Sequence, residues 1–426
     1  MLPIQSIRED ANRLVEALSK RGLNAQPMID EILSLDENRR NIQLQLDTTL
    51  AESNRISKEI GMLFKSGKRE EADALKDETV RLKETSKSLS ESLSQAAEAL
   101  QQALYAIPNA PHDSVPSGKD AEDNEVIHQW GAIPALHTEA LPHWDLARKY
   151  DIIDFELGVK ITGAGFPVYK GKGARLQRAL IGFFLDRNTE AGYQEVQVPH
   201  LVNEASGYGT GQLPDKEGQM YEAQADNLYL IPTAEVPVTN LFRDVIVDRS
   251  ELPLKYTAYT PCFRREAGSY GAHVRGLNRL HQFDKVEIVR VEQPESSYAA
   301  LDEMVAHVQG LLEALNLPYR ILKLCGGDMG FTSALTYDFE VWSAAQERWL
   351  EVSSVSNFES FQANRLKLRY RDAQNKTQLA HTLNGSALAL PRILAGILEN
   401  FQGPHGIDIP EVLVPYTGFR NIGGND

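Results

Sequence analysis

Cysteine is scarce in this chain of 426 residues, where only Cys262 and Cys325 are present. Two cysteines cannot form a disulfide framework, and they cannot supply a four-cysteine zinc site. The ten histidines do not form an HExxH motif, and the chain has no CxxC pair. We therefore expect no structural zinc.

Long apolar runs and common nucleotide-binding fingerprints are also missing. No apolar stretch approaches the roughly 20 residues of a membrane span, and the N-terminus MLPIQSIREDANRL lacks an apolar signal core. We expect a cytoplasmic protein without a membrane partner. The chain contains neither the GK[ST] of a Walker A loop nor a GxGxxG sequence, so both of these common nucleotide-binding loops are excluded.

Positive charge is in deficit, because 44 lysines and arginines face 59 acidic residues and the formal net charge is −15. This balance argues against a general nucleic-acid-binding protein, since phosphate neutralisation supplies most of that affinity. A nucleic-acid-binding protein of this composition would have to concentrate its basic residues locally.

Proline is absent between Ile29 and Leu104, and apolar residues recur there at spacings of three and four. Sustained spacing of this kind predicts a coiled coil. The predicted seam comprises Ile32, Leu35, Ile42, Leu46, Ile56, Ile60 and Leu63, and then Ala72, Leu75, Leu82, Leu89, Leu93, Ala96, Leu100 and Ala103. A break around Gly67 favours one antiparallel helical hairpin over about residues 29–104. The alternative is a coiled coil that joins two chains.

The predicted tip of this hairpin is basic. Its five cations are Arg55, Lys58, Lys65, Lys68 and Arg69, and Glu59 is the one anion between them, which gives this window a net charge of +4. Residues 107–124, IPNAPHDSVPSGKDAEDN, are rich in proline, glycine and aspartate and predict a linker. The expected domains are therefore a helical arm at 1–106, the linker at 107–124 and a core at 125–426.

The stretch from Tyr259 to Val291 predicts a long β-hairpin around a glycine-punctuated loop. Strand alternation places Arg264 and Glu266 on one face of the outgoing arm, which we expect to extend through Arg264. The returning arm places His281, Phe283, Lys285 and Glu287 on one face by the same count. Arginine, an aromatic ring and carboxylates suit a nucleotide site, although an ordinary solvated hairpin explains the spacing equally well.

Resemblance to a known family separates these two interpretations. FRREAGSYGAHVRGLNRLHQFDKVEIV closely resembles the second signature motif of class II aminoacyl-tRNA synthetases, in the form found in seryl-tRNA synthetases. A predicted helix at 174–191, followed by YQEVQVPHLV as a strand containing Pro199, resembles the first motif, which forms the homodimer interface in that family. HTLNGSALALPRILAGILENFQ resembles the third motif, with a predicted turn at Asn384-Gly385 before its helix. Pro391 stands where the family more often has glycine, and proline suits a first helical turn.

The resemblance implies an α+β fold, with the class II antiparallel β-sheet core flanked by helices and the N-terminal antiparallel coiled-coil arm. In the family this arm binds the long variable arm of the tRNA, which here implies Arg55, Lys58, Lys65, Lys68 and Arg69 as tRNA-binding residues. The tail beyond Gly403 is expected to be loop-like apart from IPEVLVPY, a candidate last strand.

The resemblance also implies the site residues. Arg264 and Arg392 would be catalytic, and serine would be bound by Thr233, Ala234, Glu235, Arg264, Glu287, Asn384 and Ser386. ATP would be bound by Arg264, Arg265, Glu266, Phe283, Glu351, Val352, Ser353, Ser354 and Arg392. Thr233 and Glu235 would face one side of an extended segment. Mg²⁺, accompanying ATP, would be held by Glu351 and Ser354, which a regular strand places on opposite faces, so that a bulge is required.

The implied reaction is ATP-dependent attachment of L-serine to serine tRNA through a seryl-adenylate, by a homodimer, with selenocysteine tRNA as a second candidate substrate. Two alternatives remain from the residues. A related ligase that loads a carrier protein would lack the basic arm, and a non-catalytic coiled-coil scaffold would leave the three motifs unexplained.

Overall fold

The computed structural model describes residues 1–215, 217–266 and 274–424. Their contacts divide the chain into two compact units. The arm unit comprises Leu2–Ser19 and Leu23–Pro108, and the core unit comprises Met1, Lys20–Gly22 and Asn109–Asp426. Most of the segment predicted to be a linker therefore belongs to the core unit.

The arm unit is built around two long helices that pack against each other. Its helices are α1 (Ile4–Glu9), α2 (Ala11–Ser19), α3 (Gln26–Lys65) and α4 (Arg69–Ala106). All residues of the predicted seam are buried or half-buried, which confirms the helical hairpin. At 1.5 Å per residue the 40 residues of α3 extend over about 60 Å. Gly67 has a φ of 78° at the break, a conformation that favours glycine.

The core unit combines one large sheet with several small ones. Its helices are α5 (His143–Lys149), α6 (Phe155–Ile161), α7 (Gly171–Glu190), α8 (Glu204–Thr210), α9 (Glu235–Asn240), α10 (Ser297–Ala314), α11 (Ser360–Leu366), α12 (Leu390–Asn400) and α13 (Val414–Thr417). Its first strands are β1 (Glu125–Trp130), β2 (Ile153–Asp154), β3 (Val168–Tyr169), β4 (Gln194–Glu195), β5 (Leu201–Asn203), β6 (Glu222–Ala223), β7 (Leu228–Leu230), β8 (Ile246–Asp248), β9 (Leu254–Phe263) and β10 (Gln282–Glu292). The others are β11 (Tyr319–Lys323), β12 (Leu335–Ser343), β13 (Arg348–Asn357), β14 (Arg369–Arg371), β15 (Thr377–Leu379), β16 (His381–Ala389), β17 (Gln402–Gly403), β18 (Gly406–Asp408) and β19 (Asn421–Ile422).

The large sheet has the strand order β1-β11-β12-β13-β16-β10-β9-β4 within the described ranges. Its pairs are antiparallel apart from the edge pair β4–β9. Helices α7, α10 and α12 pack against it, and their buried aliphatic side chains merge with those of the strands into one core. Each such side chain stabilises the fold by roughly 1.5–3 kcal/mol on burial. The α+β fold and the antiparallel sheet are thereby confirmed.

Several local predictions were wrong. The tail beyond Gly403 is not loop-like, because β17, β18 and β19 pair into a small sheet. Asn384-Gly385 does not form a turn but lies inside β16, where a Cβ on Gly385 would come within 3.0 Å of Val355. The strand predicted around Pro199 is instead two short strands, β4 and β5, on either side of the proline. IPEVLVPY does not form a strand, since residues 411–413 form a 3₁₀ turn and α13 follows.

Candidate active site

The β9–β10 hairpin is present, with Phe283 opposite Cys262 and Glu287 opposite Ala258. The outgoing strand ends at Phe263, one residue before the predicted end, and Glu266 has a φ of 49°. The alternation expected for Arg264 and Glu266 therefore does not apply. The Arg264 guanidinium lies 5.2 Å from the centroid of the Phe283 ring, and its Nε donates to Pro232 O at 3.3 Å. Glu266 pairs with Arg279 at 3.0 Å.

A cluster of buried polar side chains lies beside this hairpin. Glu287 Oε2 pairs with the Lys285 ammonium and accepts a hydrogen bond from Thr233 Oγ1 at 3.3 Å. Glu287 is also the direct cross-strand partner of Ser386. We call this cluster the carboxylate pocket, and its buried members are Thr233, Glu235, Lys285, Glu287, Asn384 and Ser386.

Glu235 joins the carboxylate pocket from a helix rather than from the extended segment that was expected. It is the first residue of α9, and its N–H donates to Thr233 Oγ1 at 3.2 Å. Gln362 Nε2 donates to Glu235 Oε1 at 2.5 Å. Burial, followed by the negative charge of Glu287, raises the pKa of Glu235 to about 7. Asn384 Nδ2 lies buried near this carboxyl and has no hydrogen-bond partner among the described residues.

Two carboxylates and a serine gather on neighbouring strands. Phe339 pairs with Ser353 and Glu340 with Glu351, so Val352 is an extra residue in β13. This bulge restores Glu351 and Ser354 to one face of the strand, as their predicted joint role required. Ser354 is also the cross-strand partner of Asp338 on β12.

Asp338 adds an unassigned carboxyl to this group. Burial, followed by the charge of Glu351, raises its pKa well above the usual range, and the neighbouring Ser354 hydroxyl partly opposes this shift. Its Oδ1 atom is buried without a partner within the described part of the chain. Oxygen donors of this kind suit Mg²⁺, which is commonly held by one or two carboxylates together with phosphates of a substrate. No cluster of three or more His, Cys, Asp or Glu side chains that could hold a metal occurs within residues 1–215, 217–266 and 274–424.

Arg392 lies in the first turn of α12, immediately after Pro391, so the helix begins as expected from the proline. Its Nη1 donates to Glu351 O at 2.7 Å and lies 3.7 Å from Glu351 Oε2. Its Nε donates to Asn278 O at 2.9 Å. Arg392 thus connects the Glu351–Ser354 group with the residues that lead back into the hairpin.

The two family models that match the chain cover both units. The model described as the tRNA synthetase class II core domain (G, H, P, S and T) matches residues 219–401, and the seryl-tRNA synthetase N-terminal domain matches residues 1–111. The core unit is therefore that of a class II aminoacyl-tRNA synthetase.

Similarity over the full length of the chain identifies one family within this class. The serine–tRNA ligase of Salinibacter ruber is 53% identical over 425 residues, which is 99% of each chain. The structure is also similar to the crystal structure of seryl-tRNA synthetase from Pyrococcus horikoshii complexed with ATP, with 34% identity and a TM-score of 0.92 over all of both chains. A second similar crystal structure is that of the cytoplasmic serine–tRNA ligase from Naegleria fowleri in complex with AMP. Its identity is 26% and its TM-score 0.85, over 97% of this chain and 96% of that one. The chain belongs to the seryl-tRNA synthetase family, and it is an enzyme, an ATP-dependent aminoacyl-tRNA ligase.

The structure brings most of the predicted site residues together. The predicted serine-binding residues lie in or beside the carboxylate pocket, and Glu351 and Ser354 lie next to Arg392. Val352 and Ser353 are buried at the bulge, and Ser353 Oγ donates to Ser386 O at 2.6 Å. Arg265 is exposed, and its backbone N–H donates to Gln219 O at 2.8 Å. The glycine-rich loop predicted between the strands falls largely on residues 267–273, which lie outside the described residues.

Sequence reasoning assigned no role to Lys285, Asp338 or Gln362. Lys285 was placed on the correct face of its strand. The one sequence signal for its ion pair with Glu287 is that the two residues are two positions apart in a strand and therefore share a face. Gln362 lies within a segment matched to the family, yet its contact with Glu235 spans 127 residues. A single polar residue among buried positions of α11 is the one signal that could have drawn attention to it.

At the tip of the arm, the five predicted cations do not have equal surroundings. Arg55 pairs with Glu52 at 2.7 Å and with Glu59 at 3.0 Å, and Lys68 pairs with Glu71 at 2.9 Å. Glu52 and Glu71 lie just outside the window from which the positive charge was counted. Lys58, Lys65 and Arg69 are exposed, and no ion pair to any of them occurs among the described residues.

Proposed function

We propose that this active site activates L-serine with ATP and transfers the seryl group to the 3′ end of serine tRNA. In the first step the serine carboxylate attacks the α-phosphate of ATP, and pyrophosphate leaves. In the second step the terminal ribose hydroxyl of the tRNA attacks the seryl carbonyl, and AMP leaves. Neither step requires a protein nucleophile, so catalysis rests on positioning and on stabilising charge in the transition state.

The carboxylate pocket is the observation that supports serine as the substrate. Glu235 and Glu287 can accept hydrogen bonds from an ammonium group, while Thr233, Asn384 and Ser386 offer partners for a small hydroxyl. The buried Asn384 Nδ2 without a partner fits a substrate oxygen. A pocket that hydrogen-bonds a substrate hydroxyl rejects the analogue without it by about 10⁴–10⁵-fold. We therefore expect alanine to be refused strongly, and threonine to be refused by its size.

Arginines hold the anionic groups in this proposal. Arg264 binds the serine carboxylate and the α-phosphate, and Arg392 binds the outer phosphates. Adenine stacks on Phe283 with Glu266 near its amino group. Arg265, Val352 and Ser353 complete the ATP site.

Glu351 and Ser354 would hold Mg²⁺, which supplies positive charge against the triphosphate when it is bound. The shared face of these two residues, and the unpartnered Oδ1 of the adjacent Asp338, are compatible with such an ion. Within the protein itself, Arg392 and Glu351 restrain each other.

The remaining parts of the proposal concern partners and location. Lys58, Lys65 and Arg69, with Arg55 and Lys68, bind the tRNA backbone, and selenocysteine tRNA is a second candidate substrate. The chain forms a homodimer through α7 and the strand after it, which light scattering at the mass of two chains would support. No described helix has the length and apolar character to cross a membrane. We place the enzyme in the cytoplasm because charged tRNA is consumed there by translation.

The experiment that tests the core of this proposal is ATP–pyrophosphate exchange with each of the twenty amino acids, without tRNA. Exchange with serine alone is the expected result. Exchange with a different amino acid would overturn the assignment of the carboxylate pocket, and alanine within tenfold of serine would overturn the proposed selectivity.

A further inference from the structure

A buried polar network connects α12 with the residues that lead back into β10. His143 and Glu399 have no solvent exposure. His143 Nδ1 lies 2.7 Å from Glu399 Oε1, and His143 Nε2 lies 2.8 Å from the backbone nitrogen of Leu277. A backbone N–H can only donate and a carboxylate can only accept, so the ring is neutral and carries its proton on Nδ1.

Glu399 is an anchor that is fully supplied with donors. Besides His143 Nδ1 it accepts the N–H of His143 at 3.0 Å and that of Ala345 at 3.2 Å, and it is bonded to Ser343 Oγ. Burial acts to raise the pKa of Glu399, and the hydrogen bonds that the carboxylate accepts from His143 and Ser343 oppose this effect. An ionised, hydrogen-bonded carboxylate of this kind holds its partners in one geometry.

A second branch of the network connects Glu399 with Asn278, the residue after Leu277. Gln346 Nε2 donates to Glu399 Oε1 at 3.0 Å, and Asn278 Nδ2 donates to Gln346 Oε1 at 2.8 Å. Arg392 Nε donates to Asn278 O at 2.9 Å. Three groups of this segment are thus held in place: the backbone N–H of Leu277, the side-chain amide of Asn278 and the backbone carbonyl of Asn278.

Glycine at position 276 allows this close approach. Its φ is 66°, and a Cβ there would lie 2.3 Å from His143 Nε2. On the other side of the anchored pair, Arg279 forms an ion pair with Glu266 at the end of the outgoing arm. Leu277 and Asn278 therefore lie between Gly276, which leaves room for the His143 ring, and Arg279, which pairs with Glu266, a residue proposed to contact adenine.

We propose that His143, supported by Glu399 and Gln346, is a positioning residue for ATP binding. It touches no substrate, and it acts by holding Leu277–Asn278 against α12, the helix that also carries Arg392. Arg392 contacts the held segment through Asn278 O, and Glu266 contacts the next residue, Arg279. Glu266 and Arg392 therefore keep a fixed position relative to each other. This inference rests on the proposed ATP-binding role of the hairpin and goes beyond it by naming the device that aligns its two halves.

The test compares three variants of the full-length protein. His143→Asn keeps a donor near Glu399 but loses the acceptor for Leu277, while His143→Gln offers a carbonyl oxygen that can reach the Leu277 N–H. His307→Asn is the matched control, because His307 is a largely buried histidine that bonds Asn188 on α7 and makes no contact with this network.

Two readouts separate positioning from general stability. Hydrogen–deuterium exchange of a peptide spanning residues 274–281 is expected to be at least tenfold faster in His143→Asn and unchanged in His307→Asn. In pyrophosphate exchange the KM for ATP is expected to rise about tenfold in His143→Asn, the effect of one net hydrogen bond, with the KM for serine within twofold. His143→Gln is expected to recover most of both effects.

Unchanged hydrogen exchange in His143→Asn would overturn the proposal, and so would faster hydrogen exchange with an unchanged KM for ATP. If His143→Asn does not fold, Gln346→Ala removes the second branch at a half-buried position and should raise the KM for ATP by about threefold; an unchanged KM there would equally overturn the proposal. Absence of serine-dependent activity in the unmodified enzyme would instead overturn the proposed function, since hydrogen exchange reports the anchor independently.

Discussion

Charged side chains of the same types act differently in the carboxylate pocket and at the tip of the arm. The Lys285 and Glu287 side chains are 7% and 2% exposed, whereas those of Arg55 and Glu52 are 62% and 40% exposed. Water and salt screen the exposed charges, so their contacts exchange easily. In the pocket the charges are desolvated, and each depends on its own partner. Exposure, rather than contact distance, therefore decides whether a charge is replaceable.

The largest effect is expected from Glu287→Ala. This change leaves Lys285 buried without its counter-charge, which costs about 3–5 kcal/mol in comparable buried pairs. It also removes an acceptor for the serine ammonium. Serine-dependent pyrophosphate exchange should fall at least about a thousandfold, and urea unfolding should show lower stability.

A double variant separates these two consequences of removing Glu287. Lys285→Met with Glu287→Leu replaces both charges by apolar groups, which is often close to neutral for stability. We expect stability near that of the unmodified protein while activity stays absent. Equal destabilisation in the single and double variants would show that the pair is not a desolvated unit.

The second prediction concerns pH and Glu235. Its pKa is raised from 4.5 to about 7, so between these values the folded protein keeps a proton that the unfolded chain releases. The contribution of Glu235 to stability is therefore greatest below pH 4.5 and is lost as the pH rises through about 7. The loss amounts to about 3 kcal/mol. Glu235→Gln should lack this component when unfolding by urea is compared at pH 5 and pH 8.

Serine binding provides an independent check of Glu235. An ammonium group beside Glu235 favours its ionised form, so serine should release a fraction of a proton near pH 7. Calorimetry in two buffers of different ionisation enthalpy measures this release. Equal proton release in Glu235→Gln would assign the titration to a different group.

Sequence reasoning succeeded where a pattern was long and local. The seam of the arm and the alternation of β9 and β10 extend over many residues, so their periods identify helix and strand. It failed where the outcome depends on contacts distant in sequence. Asn384-Gly385 has the composition of a turn, yet it lies within a strand because Gly385 packs against Val355 of β13.

The same limit applies to the site. The bulge at Val352 depends on pairing between β12 and β13, which a single strand does not reveal, although the requirement for a bulge could be stated. Glu235 reaches the pocket from the start of α9, and its partner Gln362 lies on α11. Resemblance to the family named candidate residues, whereas the bonds of His143 and Asp338 became visible only in three dimensions.

The third prediction returns to the tip of the arm. Replacing Lys58, Lys65 and Arg69 together by alanine removes three exposed cations that have no ion pair within the described residues. Affinity for serine tRNA should fall about tenfold at 0.1 M salt. The negative slope of log K against the logarithm of the salt concentration should become shallower by about two. Pyrophosphate exchange without tRNA should not change.

A matched control removes the same charge from the core unit. Lys367, Arg371 and Lys376 are exposed, and their replacement by alanine should leave tRNA affinity within about twofold, since long-range attraction is largely screened at this salt concentration. An equal loss of affinity in both triple variants would mean that net charge, rather than the tip, governs binding.

The smallest effect is expected from Arg55→Ala, which removes ion pairs of 2.7 Å to Glu52 and 3.0 Å to Glu59. The contact with Glu52 raises the pKa of Arg55, but all three side chains remain in water. Water replaces the lost contacts, and thermal unfolding followed by circular dichroism should be unchanged within error. A lower melting temperature that persists in 1 M salt would show that this pair behaves like Lys285 and Glu287, and that exposure does not separate the two regions.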